Sequence, residues 1–228
     1  MTPGEKRVAE WLLKLPDDHL IWYDIRIPPK DRHPDFVVLS PTHGLLIIEV
    51  KDWIISQIDR ADTSYIKLRL GSNVSHRKHP LEQARGYAHE LENHLSTERL
   101  LIHPPSHPQH PKKLIFPYGF CSILTNIDHL SITDAGLEQI FSPIKTLYSD
   151  HLNEHPQNIF WSSTCKLLPF PCRQKLSDSQ IEVIQSLLFP TSILFPLPSP
   201  PPPEPTPPPP PTSPTDSPLL LLRAFHCP

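Results

Sequence analysis

Three ionisable side chains, Asp35, Glu49 and Lys51, lie beside two short apolar runs. Asp35 comes directly before residues 36–39, whereas Glu49 and Lys51 lie at the end of residues 45–50. Two carboxylates that face each other across a pair of strands are tolerated when a proton or a cation lies between them. Mg²⁺ typically uses one or two protein carboxylates and fills its other positions with water and phosphate oxygens. The three residues therefore predict a site for Mg²⁺ (or Mn²⁺) that hydrolyses a phosphodiester.

The expected register of the two runs brings these side chains together. Residues 40–44 can close a hairpin in which Leu39 faces Leu45. Asp35 then lies across from Glu49, with about 4.5–5.5 Å between their β-carbons. The lysine projects on the same face as Glu49, since residues two apart on a strand share a face. A bound cation would acidify a coordinated water, and the lysine, a compact donor, would hydrogen-bond that water or stabilise the phosphorane.

The surrounding sequence alternates helical and strand-like segments, which predicts an α/β fold. Residues 1–15 place Trp11 and Leu12 on one apolar face of a helix. Apolar residues occupy consecutive positions in 36–39 and 45–50, so both faces of these strands should be buried. We expect a mixed central sheet with this hairpin at its centre and helices on both faces. The other expected elements are strands 20–27, 65–70, 114–124 and 158–163, and helices 80–95 and 177–188.

The composition limits the class of protein. The formal net charge is −3, so any contact with nucleic acid must come from a local basic patch. Residues 76–79 (HRKH) form the best such patch, although a solvated loop explains them nearly as well. The four cysteines include no CxxC pair, the start resembles no secretion signal, and the apolar runs are far shorter than the ~20 residues of a spanning helix. We expect a cytoplasmic protein with no membrane partner.

Proline divides the chain into two parts. Of its 228 residues 32 are proline, and these cluster after residue 190. Proline runs form neither helix nor sheet and favour solvated polyproline II. We expect residues 1–189 to form one domain and residues 190–228 to be a disordered tail.

Four segments together resemble the nuclease-related domain (NERD) family of the PD-(D/E)XK nuclease superfamily. They are GEKRV at 4–8, DFVV at 35–38, GLLIIEVKDW at 44–53 and PLEQARGY at 80–87. The resemblance implies a restriction-endonuclease-like core with a mixed central sheet flanked by helices. It also implies a metal-dependent nuclease that hydrolyses DNA in repair or in defence against foreign DNA, with a helicase as a partner.

The resemblance assigns roles to individual residues. It implies that Asp35 and Glu49 bind the metal and that Lys51 is catalytic. It further implies that Gln83 borders the site from the following helix and that Glu5 is an additional site acid.

Other interpretations of these residues stay open. A capping box with Thr2 gives Glu5 a complete structural account, and Gln83 could be a polar residue near a helix start. We assign Tyr87, one turn after Gln83, to packing. The acid–acid–lysine pattern alone is weakly specific, so the alternative function is a catalytically inactive module that binds nucleic acid or docks a helicase.

Overall fold

The computed structural model describes residues 1–28, 30–161 and 167–188, and these residues form an α/β fold with two sheets. The helices are α1 (Pro3–Leu12), α2 (Pro80–Leu95), α3 (His129–Asp134), α4 (Pro156–Phe160) and α5 (Asp178–Leu188). The strands are β1 (Leu20–Tyr23), β2 (Phe36–Ser40), β3 (Gly44–Lys51), β4 (Ile58–Ala61), β5 (Tyr65–Leu70), β6 (Asn73–Lys78), β7 (Tyr118–Leu124) and β8 (Thr146–Tyr148). Each described helix is too short or too polar to cross a membrane.

The central sheet is mixed, as expected. Its strand order is β1-β2-β3-β7-β8. The first three strands are antiparallel, and β3, β7 and β8 are parallel. In β3 every residue except Lys51 is buried. A strand that is covered on both faces needs apolar residues at consecutive positions, which explains residues 45–48 and 50 of β3; Glu49 is the buried exception.

The hairpin register is the one that the sequence predicts. Leu39 pairs with Leu45, and Phe36 pairs with Ile48 at the far end of the ladder. Asp35 comes one position before this last pair. The same register, continued by one residue, sets Asp35 across from Glu49.

Helices cover both faces of the central sheet, also as expected. On one face Val37 and Ile47 pack in a cluster with residues of α2 and α5. On the other face Phe36 and Ile48 pack with residues of α1 and with Phe160 of α4. Because faces alternate along a strand, the side chains at positions 49 and 51 share the α2 face with Ile47.

A second sheet of three antiparallel strands, β4-β5-β6, was predicted only at β5. Ile66 and Leu68 of β5 are buried against Leu124 of β7 and against Phe141. Strand β6 has mostly polar, exposed side chains, and in β4 only Ile58 and Ala61 are apolar, so no apolar run marks either strand. The basic segment 76–79, for which a solvated loop was one interpretation, lies in β6 and at the N-cap of α2.

Several expected boundaries were wrong. The first helix ends at Leu12 rather than at residue 15. The strand expected over 20–27 ends at Tyr23, because Asp24 adopts a φ of 51°, which interrupts extended backbone. The strand expected from residue 114 begins at Tyr118.

The prediction of a strand over 158–163 is also wrong for residues 158–161, the part of it that the structure describes. Residues 156–160 form α4, with Pro156 in its first turn, where the missing N–H of proline has no cost. The helix expected over 177–188 is present as α5. The proposed tail, 190–228, lies outside the described residues, and the domain boundary at 189 stays a prediction.

Gly4 fixes the start of α1 against the end of β3. Its backbone N–H donates to Asp52 Oδ2 at 2.9 Å, and the Thr125 hydroxyl donates to Asp52 Oδ1 at 2.5 Å. A Cβ on Gly4 would lie 1.4 Å from Asp52 Oδ1 and 2.6 Å from Thr125 Oγ1. Only glycine therefore allows α1 to approach β3 so closely.

We predict that Gly4→Ala lowers the free energy of unfolding by about 2–3 kcal/mol, since Asp52 must move and lose the hydrogen bonds from Gly4 and Thr125. The matched control is Gly86→Ala in α2, where the nearest atom to an added Cβ is Lys78 Nζ at 3.8 Å. We expect this control to be neutral or stabilising by about 0.5–1 kcal/mol because alanine favours helix. Urea unfolding of both variants measures the difference, and equal effects would contradict the proposed steric role of Gly4.

Candidate active site

Asp35 lies at the open end of the hairpin with its carboxylate largely buried. Its Oδ2 accepts a hydrogen bond of 2.6 Å from the backbone N–H of Val50. Burial raises the pKa of Asp35 to about 6, even though the Val50 hydrogen bond and the positive charge of Lys51 act in the opposite direction. The carboxylate is therefore held at the end of the β2–β3 ladder, where burial disfavours its ionised form.

Glu49 is a carboxylate inside the central sheet, and only 1% of its surface is exposed. Its Oε1 accepts a hydrogen bond from Lys51 Nζ. Its Oε2 is buried and has no hydrogen-bond partner among the described residues. Burial, followed by the negative charge of Asp35, raises the pKa of Glu49 to about 7. A buried carboxylate oxygen without a donor is costly, and a cation or a proton would relieve that cost.

Lys51 lies between this acidic pair and a cleft of about 590 Å³. Its side chain is 20% exposed, and it lines the cleft while its amine binds Glu49. The cleft is bounded by α2 on one side and by β6 on another. Neither Asp35 nor Glu49 is among the residues that line the cleft, so a ligand there would meet Lys51 before the acidic pair.

Three side chains of α2, those of Gln83, Tyr87 and Glu90, line the same cleft. Gln83 Nε2 donates a hydrogen bond of 2.7 Å to the Tyr87 hydroxyl. Burial raises the pKa of Tyr87, and the charges of Glu49 and Asp35 add to the effect. Tyr87 packs in the core, as expected. It also lines the cleft, a role that the sequence did not reveal. The spacing of four residues, which sets both side chains on one helix face, is the signal that could have found it.

Glu5 forms the capping box with Thr2 that was its structural interpretation. The Thr2 hydroxyl accepts from Glu5 N–H at 3.2 Å, and Glu5 Oε2 accepts from Thr2 N–H at 2.8 Å, which completes the capping box. Glu5 Oε2 also accepts a hydrogen bond of 2.8 Å from the Tyr23 hydroxyl. Its negative charge reaches Asp35 and Glu49 and contributes to their raised pKa values. The helix cap therefore adds to the negative charge around the acidic pair.

Three basic side chains, those of Arg32, Arg77 and Lys78, line the cleft together with Trp53. We call these three side chains the basic wall. This places local positive charge beside Lys51 in a chain whose overall charge is negative. Such a wall suits a phosphate-bearing ligand.

The described residues contain no group of three or more His, Cys, Asp or Glu side chains that could hold a metal ion. Asp35 and Glu49 supply two carboxylates. That number is what Mg²⁺ commonly uses when phosphate and water complete its shell.

We predict that the acidic pair makes the chain less stable as the pH rises when no divalent cation is present. Both carboxyl groups have a pKa above the unfolded value, 3.8 for Asp35 and 4.5 for Glu49. Their contribution to stability is therefore complete below about pH 4 and is lost as the pH rises through about 6 and 7.

The measurement is urea unfolding in EDTA at pH 5 and pH 8, with Asp35→Asn/Glu49→Gln as the reference, since other titrating groups are shared and cancel. Relative to that double variant, the wild type should lose about 2–4 kcal/mol between the two pH values. Parallel pH profiles of the two proteins would show that the pair is not strained when ionised.

Comparison with known proteins identifies the domain that contains this site. The sequence model of the nuclease-related domain matches residues 2–117, a segment that includes the acidic pair, Lys51, Gln83 and Glu5. No curated protein and no solved structure matches the chain. The matched segment spans just over half of the chain, so the protein belongs to the nuclease-related domain family.

Proposed function

We propose that this chain is a metal-dependent nuclease that hydrolyses DNA phosphodiester bonds, with DNA repair or defence against foreign DNA as its setting. The observation that supports this most is the buried Oε2 of Glu49, which has no donor among the described residues and lies in a pair with Asp35. Family membership adds the nuclease relationship.

Asp35 and Glu49 would hold Mg²⁺ or Mn²⁺. The donor set fits, since hard divalent cations prefer carboxylate oxygens and the pair disfavours its own charge in the absence of a cation. When bound, the cation supplies Lewis-acid polarisation of the phosphoryl oxygen and a more acidic water.

The residues of the chain would perform the remaining tasks. Lys51, with its amine at the boundary between Glu49 and the cleft, would donate a hydrogen bond to the attacking water or to the phosphoryl oxygen that gains charge. The Gln83–Tyr87 pair would border the reacting phosphate. Arg77 and Lys78 would bind neighbouring phosphates and so position the strand.

The experiment that tests this function is a cleavage assay on end-labelled single- and double-stranded DNA with Mg²⁺, with Mn²⁺ and with EDTA. DNA binding is measured in parallel by fluorescence anisotropy. Cleavage that requires the divalent cation supports the proposal. Binding without cleavage under every metal condition would replace it with the alternative, an inactive module.

One observation favours that alternative. The Lys51 amine already binds Glu49 Oε1, so the lysine neutralises part of the charge that would attract a cation. In an inactive module this ion pair would be permanent, and the basic wall would serve only to bind nucleic acid or to support docking to a helicase.

A further inference from the structure

A second cavity, of about 1070 Å³, lies on the other side of α2 from the cleft. The first residues of β7 and the segment 167–176 line it. Phe120 of β7 pairs with Ile47, four positions before Lys51 on β3. At about 3.3 Å per residue, the cavity is separated from the lysine by about 13 Å along the sheet.

The second cavity is strongly cationic. Lys113, Lys145, Arg173 and Lys175 line it, and Glu92 is its one carboxylate among the described residues. Glu92 is already engaged, since it lies 3.5 Å from Lys113 Nζ and accepts a hydrogen bond from the Tyr118 hydroxyl. The other three cations form no ion pair within the described part of the chain. Because the chain as a whole carries a charge of −3, this concentration of positive charge favours an anionic ligand.

Lys145 is the cation with the most restricted position. It is half-buried, and its Nζ lies 3.8 Å from the centroid of the Phe120 ring. Burial lowers the pKa of Lys145, and the nearby charge of Arg85 acts in the same direction. A partly desolvated amine that contacts a ring but no carboxylate gains by binding an anion from the cavity.

Aromatic rings lie beside these cations. Phe120 lines the cavity, and Phe170 is 49% exposed there. The ring of Phe170 is stacked with that of His110, with 6.4 Å between centroids and 11° between planes. Exposed ring faces next to lysine and arginine are the combination that binds a nucleobase together with its phosphate.

We propose that this cavity is a second ligand site that binds a nucleoside phosphate. Lys145 and Arg173 contact the phosphate, with Lys175 near it, and the base lies against the exposed ring of Phe170. The ligand is either a free nucleotide or one nucleotide of a strand, and both share this chemistry. The site does not depend on cleavage at Lys51.

The test is titration calorimetry of the full chain in EDTA at low salt, so that cleavage cannot contribute. The probes are inorganic phosphate, 5′-AMP and a short single-stranded oligonucleotide. We expect 5′-AMP to bind at least about fivefold more tightly than inorganic phosphate, because stacking of a base contributes about 1–3 kcal/mol. Lys145→Met and Arg173→Gln should each weaken 5′-AMP binding about tenfold or more.

The matched control is Lys14→Met, which removes one charge from an exposed position outside the cavity lining and should leave the Kd within about twofold. Arg173 is exposed, so its variant keeps the test valid if Lys145→Met fails to fold. Oligonucleotide binding that is much tighter than that of 5′-AMP, and that Lys145→Met also weakens, would identify a strand as the source; equal binding would identify a free nucleotide. Undetectable binding of 5′-AMP at millimolar concentration, binding unchanged by Arg173→Gln, or equal affinity for phosphate and 5′-AMP would overturn the proposal.

Discussion

Lys51→Met should reduce the rate of metal-dependent DNA cleavage by about 100- to 1,000-fold. Methionine preserves most of the apolar stem but removes the amine that lies between Glu49 and the cleft. The loss of one positioned donor to a developing negative charge typically has an effect of this size. DNA affinity should fall by much less, because Arg32, Arg77 and Lys78 still line the cleft.

The control for this prediction is Lys14→Met, which removes the same charge from an exposed position two residues after α1. Its cleavage rate should equal that of the wild type. Single-turnover cleavage with excess protein measures the chemical step in both variants. If Lys51→Met retains more than about a tenth of the wild-type rate, the lysine is not the donor to the developing negative charge.

Glu49→Gln should abolish cleavage and at the same time remove the stabilisation of the folded chain by Mg²⁺. The wild type should gain about 2–3 kcal/mol of unfolding free energy when Mg²⁺ reaches about 100 times its Kd, because the cation binds the folded state alone. Glutamine has nearly the same shape but lacks the negative charge. We therefore expect no Mg²⁺-dependent shift in Tm for the variant.

This substitution should not destabilise the metal-free chain at pH 8. Glu49 is ionised there against the effect of burial, so replacement by a neutral amide relieves a cost. Loss of cleavage in a variant that is as stable as the wild type separates metal binding from folding. Glu10→Gln, an exposed substitution on α1, is the control and should keep both cleavage and the Mg²⁺ shift. A Glu49→Gln variant that still gains stability from Mg²⁺ would place the cation elsewhere.

The central hairpin could be predicted from sequence because its signals are local. Two apolar runs flank a short loop, and a single register buries both of them, so the positions of Asp35, Glu49 and Lys51 follow from counting residues. The second sheet could not be predicted in this way. Strand β6 is mostly polar, and β4 supplies only Ile58 and Ala61 to the apolar cluster beneath the second sheet, so neither strand carries an apolar run that predicts it, and both pair with β5.

The cleft depends on tertiary contacts that no local pattern encodes. Arg32 comes from the loop before β2, Lys78 from β6 and Tyr87 from α2, and they meet only after the two sheets and α2 have packed. The sequence showed a basic patch at 76–79 but did not show that this patch borders the cleft. His79 within that patch is in fact buried at the N-cap of α2, where it accepts from Leu81 N–H, so only part of the patch belongs to the basic wall.

Anomalous diffraction from crystals soaked in Mn²⁺ at pH 8 tests most directly whether the buried acidic pair is a metal site. We expect a Mn²⁺ peak bonded to carboxylate oxygens of both Asp35 and Glu49, with the Lys51 amine no longer bound to Glu49. A map with no peak at these carboxylates, or with Mn²⁺ bound only at other residues, would contradict the account.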